Sequence, residues 1–277
     1  MIKRFLSFAF IVLNIFIVSG ANMNAGYNQR FINHTDNKIK SMHNYIISKR
    51  SYLKGSKRLM FIRMRRFNLQ PEVKNALMLV KRERFAWHRN SMYAARRNAV
   101  KAYAETPLAI GYGQTISSPN MVAIMTKLAN PKSSDKILEI GTGSGYQSAL
   151  LSKICKKVYS IEIVEKLGIS TTRIYKRYGY TNIKTKIADG YYGWREFAPF
   201  DKILVTCATN HIPPALIRQL KRGGIMLVPV GHPYGIQKLI ELRKDKNGRV
   251  RTRKLMHVRF VPMTGTALQK FKQKRNN

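Results

Sequence analysis

The chain has 277 residues, 44% hydrophobic and 23% charged, enough to bury the core of one full domain with extensions. Two cysteines exclude a disulfide scaffold and show no metal-ligand spacing, and the six histidines form no HxxxH or HExxH pair, so no metal site is expected. Lys and Arg number 51 against 13 Asp and Glu, a formal charge of +38 spread along the whole chain. Such a balance attracts polyanions, nucleic acid or an anionic membrane surface among them, unless it reflects only a compositional drift toward lysine and asparagine.

The amino terminus reads as an address. Lys3 and Arg4 precede an apolar run from Phe5 to Val18, broken only by Ser7 and Asn14, and Val18-Ser19-Gly20 offers small residues for cleavage. A run of about 14 residues is shorter than the roughly 20 that span a bilayer. Residues 1–20 are therefore expected to be a cleaved signal peptide that sends the chain to the periplasm or the secretory pathway. Residues 21–70 follow with 11 basic residues against the single acid Asp36, and predict a poorly ordered basic linker.

From Pro71 the pattern changes. Val73, Ala76, Leu77, Val80 and Phe85 fall at helical spacing behind a first-turn proline. Ala102 to Ser118 reads as loop, and Met121 to Leu128 resumes a helix. Strands are then expected over 136–140, 158–163, 183–187, 201–206 and 225–230. Helices fall between them over 146–153, from strand two through Tyr175, and over 213–220. Residues 237–243 and 253–262 flank a Lys246-Asn247-Gly248 turn and predict an antiparallel hairpin. This alternation implies an α/β domain over 71–265: a Rossmann-like, mostly parallel twisted sheet with helices on both faces and an antiparallel edge hairpin. Residues 266–277 are left as a basic tail.

The strongest chemical signal is Leu138-Glu139-Ile140-Gly141-Thr142-Gly143-Ser144-Gly145-Tyr146, a glycine-rich turn between a strand and a helix. The dinucleotide pattern GxGxxG needs glycine where Tyr146 stands, which argues against a pyrophosphate ligand. Glu162 ends the next strand, placed to accept hydrogen bonds from both hydroxyls of a ribose, and Glu139 can receive the ammonium of a methionine moiety. Asp189, after the third strand, can accept an exocyclic adenine amine. S-adenosylmethionine (AdoMet) meets these demands. Gly141, Gly143 and Gly145 are the backbone part of that expected cofactor site.

These segments belong to a wider set: Gly111-Tyr112-Gly113-Gln114-Thr115-Ile116-Ser117-Ser118-Pro119, Ile137 to Gln147, Val158-Tyr159-Ser160-Ile161-Glu162, Pro199-Phe200-Asp201, and Arg259-Phe260-Val261-Pro262-Met263-Thr264-Gly265. Together they resemble the protein-L-isoaspartate (D-aspartate) O-methyltransferases. The resemblance implies an enzyme that uses AdoMet to methylate the free carboxyl of isoaspartyl residues in damaged proteins, starting their repair through a succinimide. It implies that Ser117 is the active-site serine and that Gln114, Thr115, Ile116 and Ser117 form a lid segment. It also puts Thr264 at the far side of the cofactor and Ala188 with Asp189 beside the adenine. Val228 to Gly231 and Ala208 to Pro213 would border a peptide groove. The chain departs from the family pattern at Ala188, where glycine is usual, at Thr209-Asn210 and at Asn120.

The implied chemistry asks little of acid–base groups. A carboxylate nucleophile, with a pKa near 4 in model peptides, is already ionised at neutral pH, so no general base is needed. Orientation can then supply up to about 7–11 kcal/mol of the barrier reduction. Two other readings stay open at this stage: a nucleic-acid methyltransferase, favoured by the charge, and a non-catalytic exported binding protein. Isoaspartyl proteins or peptides are the expected partners, the chain is expected to be monomeric, and the resemblance implies a cytoplasmic location as the alternative to the export that the leader predicts.

Overall fold

A computed structural model describes residues 25–88 and 90–276; the expected leader over Met1–Gly20 lies outside the described residues. The chain divides into two units at Lys38/Ile39. In the first, residues 25–38 are helical, and the Thr35 hydroxyl donates to the Phe31 carbonyl one turn earlier at 2.8 Å.

The second unit starts inside helix α1 (Ala25–Ser48) and continues through α2 (Arg50–Met64), α3 (Pro71–Leu79) and α4 (Met92–Val100). The structure thus differs from the poorly ordered linker expected over 21–70. Ile39, Met42, Leu53, Met60 and Met64 are buried, with Ile46 packed against them, so a thin apolar stripe at helical period does run through this basic stretch. Its members are few and scattered through a strongly basic stretch, which hides the stripe from a reading by local composition.

A two-stranded antiparallel ribbon, β1 (Leu108–Gly111) and β2 (Gln114–Ile116), occupies what reads as loop. Its strands are too short for period-2 alternation to register. Next come α5 (Pro119–Ala129), β3 (Lys136–Ile140), α6 (Tyr146–Leu151), β4 (Lys157–Glu162), α7 (Glu165–Arg177), β5 (Ile183–Ile187), β6 (Phe200–Val205), α8 (Pro214–Gln219), β7 (Leu220–Gly231), β8 (Gln237–Lys244), β9 (Val250–Val258) and α9 (Thr266–Asn276). The last is a helix where a basic tail was expected. The seven strands order as β5-β4-β3-β6-β7-β8-β9, parallel from β5 to β7 and antiparallel across β7-β8-β9.

Why these residues make a sheet covered on both sides is visible in their alternation. Leu138, Ile140, Tyr159, Ile161, Ile203 and Val205 pack on one face with Leu216 of α8. Ile137, Val158, Leu204 and Leu227 pack on the other with Met125 of α5 and Leu151 of α6. Both sets are buried, so the central strands read as continuous apolar runs. Asp201 pins the strand starts together, accepting from the Lys136 N–H at 2.8 Å and from Lys221 Nζ at 2.7 Å. The open edge, β9, carries Arg251, Arg253 and Lys254, charges that discourage further strand pairing.

Strand order reverses between β3 and β6, each of which leaves its carboxyl end free of a crossing connection. Such a switch point opens a crevice for ligands. Gly145, which opens α6 with φ +89°, is needed there for packing: a Cβ would sit 2.6 Å from the Tyr175 hydroxyl and closer still to Thr171 Cγ2 on α7. Gly145→Ala is expected to destabilise the fold by roughly 2–4 kcal/mol, from overpacking plus a left-handed backbone. Urea denaturation checks this; an unchanged midpoint would show that α7 does not hold this close approach.

Candidate active site

The site grows from the end of β3. The N–H groups of Gly141 and Thr142 both donate to the Ile161 carbonyl, at 2.9 and 3.1 Å, and fold the chain back across β4. Gly141 has φ +96°, and a Cβ there would stand 2.8 Å from Thr206 Oγ1, which itself donates to the Ile140 and Gly141 carbonyls. Gly143, with φ +51°, gives its N–H to Glu162 Oε2 at 2.6 Å, and the other oxygen of Glu162 accepts from the Val164 N–H at 2.9 Å. Glu162 therefore fixes the glycine turn as well as facing the crevice.

Glu139 lies deeper. It is fully buried, and its Oε2 accepts from the Ser148 hydroxyl and, at 2.7 Å, from the Ser160 hydroxyl, which in turn meets Thr142 Oγ1 at 2.6 Å. Its Oε1 is buried without a hydrogen-bond partner. Burial pushes the Glu139 carboxyl up to about 7, partly opposed by the two serine hydroxyls and reinforced by the Glu162 charge. A carboxylate held this way is short of one donor, a fit for a cation.

A cavity open to solvent occupies the crevice. Its walls include Gln114, Thr115, Ile116, Ser117, Glu139, Gly141, Gly143, Glu162 and Thr264, so nine residues expected from the sequence converge on it. Gly145, Ala188 and Asp189 are not among its lining residues. Gly145 turns toward α7. Ala188 gives its N–H to the Glu162 carbonyl at 2.9 Å, as a continuation of the β4–β5 ladder. Asp189 spends both oxygens on backbone, accepting from the Tyr191 N–H at 2.9 Å and the Thr266 N–H at 2.8 Å. It caps the turn that follows and the start of α9, and its neighbour Gly190 reaches the cavity wall instead.

A second cavity adjoins the first and shares Thr115, Ser117, Met121, Thr206, Val261 and Pro262 with it; Pro107, Ser118, Pro233, Tyr234, Arg259 and Phe260 complete its lining. The segments Val228–Gly231 and Ala208–Pro213, expected to border a peptide groove, are not among its lining residues. Those segments are sewn to each other and to the last loop: Thr209 N–H to Pro229 at 3.0 Å, Gly231 N–H to Thr209 at 2.9 Å, Ala208 N–H to Val261 at 2.8 Å. Their part is to carry Val261–Thr264 across the mouth of the site.

Ser117 stands on the common wall, half-buried, its hydroxyl without a hydrogen-bond partner among the described residues. Its carbonyl accepts from Arg82 Nη2 at 2.6 Å, while Arg82 Nε donates to the Ala102 carbonyl at 2.6 Å and the guanidinium lies 4.8 Å from the centre of the Tyr146 ring. Arg82 is fully buried, yet it sits in the run Lys81-Arg82-Glu83-Arg84, which reads as a solvated face. No local signal marks it. Ser148 and Ser160 were legible in principle, as small polar residues inside otherwise buried apolar runs. Cys207 lines the cavity, but burial pushes its thiol well above the ordinary range, the opposite of what a nucleophilic cysteine needs.

Known proteins resemble this arrangement. Residues 55–268 match the family model for protein-L-isoaspartate(D-aspartate) O-methyltransferase. Protein-L-isoaspartate O-methyltransferase 2 of Syntrophobacter fumaroxidans is 49% identical over 197 residues, which cover 71% of this chain and 76% of the relative. Protein-L-isoaspartate O-methyltransferase 1 of Nitrosospira multiformis is 54% identical over 167 residues, 60% of this chain and 71% of the relative. Among solved structures, a protein-L-isoaspartate O-methyltransferase superposes with a TM-score of 0.69 at 23% identity, covering 79% of this chain and 69% of its own. A Plasmodium falciparum chain described as a protein-L-isoaspartate O-methyltransferase in complex with S-adenosyl-L-homocysteine gives a TM-score of 0.63 at 26% identity, covering 75% of this chain and 97% of its own. The glycine turn, the lid segment and the closing loop thus sit within a match that spans most of the molecule, and the chain belongs to the protein-L-isoaspartate(D-aspartate) O-methyltransferase family.

Proposed function

We propose that methyl transfer takes place where the two cavities meet, with AdoMet in the deeper one and an isoaspartyl segment in the shallower one. The family's activity is AdoMet-dependent esterification of the free carboxyl of L-isoaspartyl and D-aspartyl residues, the first step of their repair. The observation that carries the residue assignment is Ser117, an unengaged hydroxyl on the wall common to both cavities.

The residues present fit the cofactor. Glu139 Oε1, buried and unpartnered, suits the ammonium of its amino-acid end, and Glu162, at the rim of the glycine turn, suits the ribose. The lid residues Gln114 to Ile116 and the closing residue Thr264 flank the same space. Asp189 would act on the adenine indirectly, by holding Gly190 and the Thr264–Gly265 turn. When bound, AdoMet supplies an electrophilic methyl on a sulfonium sulfur that departs as a neutral thioether.

The protein's contribution is positional. Ser117 donates a hydrogen bond to the incoming carboxylate and fixes one oxygen, leaving the other aimed at the deeper cavity. Arg82 holds the Ser117 carbonyl and so sets the height of the lid. The half-closed walls strip water from the carboxylate, and orientation does the rest. A nucleic-acid methyltransferase would want an activated thiol or a flipped-base pocket, and Cys207 supplies no such thiol. A protein whose site had decayed would not keep this set of side chains around one cavity.

Incubation with labelled AdoMet and a matched pair of peptides, isoaspartyl and ordinary aspartyl, tests the reading. Label is expected as a base-labile ester on the isoaspartyl peptide alone. Ser117→Ala should lower kcat roughly tenfold to a hundredfold, the worth of one hydrogen bond to a charged group, with AdoMet affinity nearly unchanged. Equal labelling of both peptides would contradict the substrate assignment, and lost cofactor binding in the variant would contradict the role of Ser117.

The Glu139 carboxyl also sets a pH dependence. Capture of an ammonium needs the ionised form, and burial raises its pKa to about 7, so the protein must lose a proton to bind below that pH. Cofactor affinity is expected to climb by up to about tenfold per pH unit from about pH 5.5 toward 7 and then flatten. Glu139→Gln should bind more weakly and lose that slope. A flat wild-type profile by calorimetry would rule out this role.

A further inference from the structure

Helix α2 has two apolar faces, and only one of them is used. Leu53, Met60 and Met64 turn into the core. Tyr52, Leu59 and Ile62 stand 57%, 53% and 47% exposed. At about 100° per residue Ile62 falls opposite the buried face, and Leu59 and Tyr52 lie roughly 120° and 100° from it on one side, forming an outward stripe. Lys54, Arg58 and Arg65 border the stripe on one side and Arg63 on the other. Between Asp36 and Glu72 the sequence has no carboxylate.

Arg63 and Arg66 share Glu105, at 3.8 and 3.2 Å. Lys54, Arg58 and Arg65 make no ion pair among the described residues. Lys57, on the side of α2 nearer the buried face, donates from Nζ to the Met78 carbonyl at 2.6 Å and is not part of the stripe. Exposed apolar side chains flanked on one border by cations without an ion pair are costly in water and are matched by a surface with apolar depth beneath a negative face.

We propose that the outer face of α2 docks on an anionic lipid surface. The helix would lie in the headgroup plane, Leu59 and Ile62 entering the acyl boundary and Tyr52 at its polar edge, while Lys54, Arg58 and Arg65 meet lipid phosphates. Spanning is not required of it, since among the described residues no helix is long and apolar enough to cross a membrane. Charge alone would equally suit RNA. The aliphatic members decide against it: leucine and isoleucine side chains gain from leaving water and offer no ring for a base to stack on. None of these residues lines the catalytic cavities, so the contact is independent of the methyl-transfer assignment.

Co-sedimentation of the full chain with vesicles tests this, using phosphatidylcholine alone, phosphatidylcholine with about 30 mol % phosphatidylglycerol, and poly(U) RNA as the rival ligand at about 0.15 M salt. The chain should sediment with the anionic vesicles and not the neutral ones. The combined variant Tyr52→Ser, Leu59→Gln, Ile62→Gln should lose about tenfold in vesicle affinity while its poly(U) binding and its methyl transfer in solution stay as in the wild type. A second variant, Lys54→Gln, Arg58→Gln, Arg65→Gln, should weaken vesicle binding and flatten its salt dependence. Undiminished vesicle binding by the apolar variant, tighter binding to poly(U) than to the anionic vesicles, or no sedimentation with either vesicle would overturn the proposal.

Discussion

One buried carboxylate organises the active end of this protein. Glu139 sits at the centre of the sheet with no exposed surface, and an isolated charge in that position is expensive. Ser148 and Ser160 satisfy one of its oxygens and leave the other bare. Burial raises the carboxyl pKa to about 7, and a cation at Oε1 would favour the ionised form. Thr142 ties Ser160 to the glycine turn, so the loop that borders the cavity is linked through hydroxyls to the group beneath it.

Around that centre the fold supplies borders. Glu162 and the Ile161 carbonyl fix the turn from one side, and Thr206 fixes it from the other. The ribbon β1–β2 and Arg82 hold residues 114–117 beside it, while the bridge from Ala208 to Val261–Met263 brings the last loop across. Arg82 stands out because it is a buried cation used on carbonyls. It binds Ala102 and Ser117, two points distant in sequence, and lies over the ring of Tyr146 on the cavity wall. The position of Ser117 between the two cavities is thus fixed by backbone contacts, which leaves its hydroxyl available.

Much of this was legible from the residues alone. Apolar runs of five or six with turn residues between them could only be strands buried on both faces, and the glycine turn followed by a strand ending in Glu162 located the crevice. Legibility failed where the deciding contact is remote. Gly145, expected as cofactor backbone, also needs to be glycine because Thr171 and Tyr175 stand against it. Asp189, expected beside an adenine, also holds the N–H of Thr266, far along the chain, a contact that the sequence does not announce. Arg82 is indistinguishable from its charged neighbours, and the helices of residues 25–64 rest on a stripe too sparse to outweigh a strongly basic composition. Pairwise contacts across the fold carry that information, and no local window contains it.

The role of Glu139 can be isolated by pairing two ligands that share the adenosine and differ in the amino-acid end. S-adenosylhomocysteine carries the ammonium and methylthioadenosine lacks it. With wild type and Glu139→Gln compared by calorimetry at pH 7.5, the substitution should weaken S-adenosylhomocysteine by more than about tenfold and leave methylthioadenosine nearly unaffected, the difference expected for one charge-assisted contact. Equal losses for both ligands, or none for either, would show that the buried carboxylate serves the fold and does not receive the ligand.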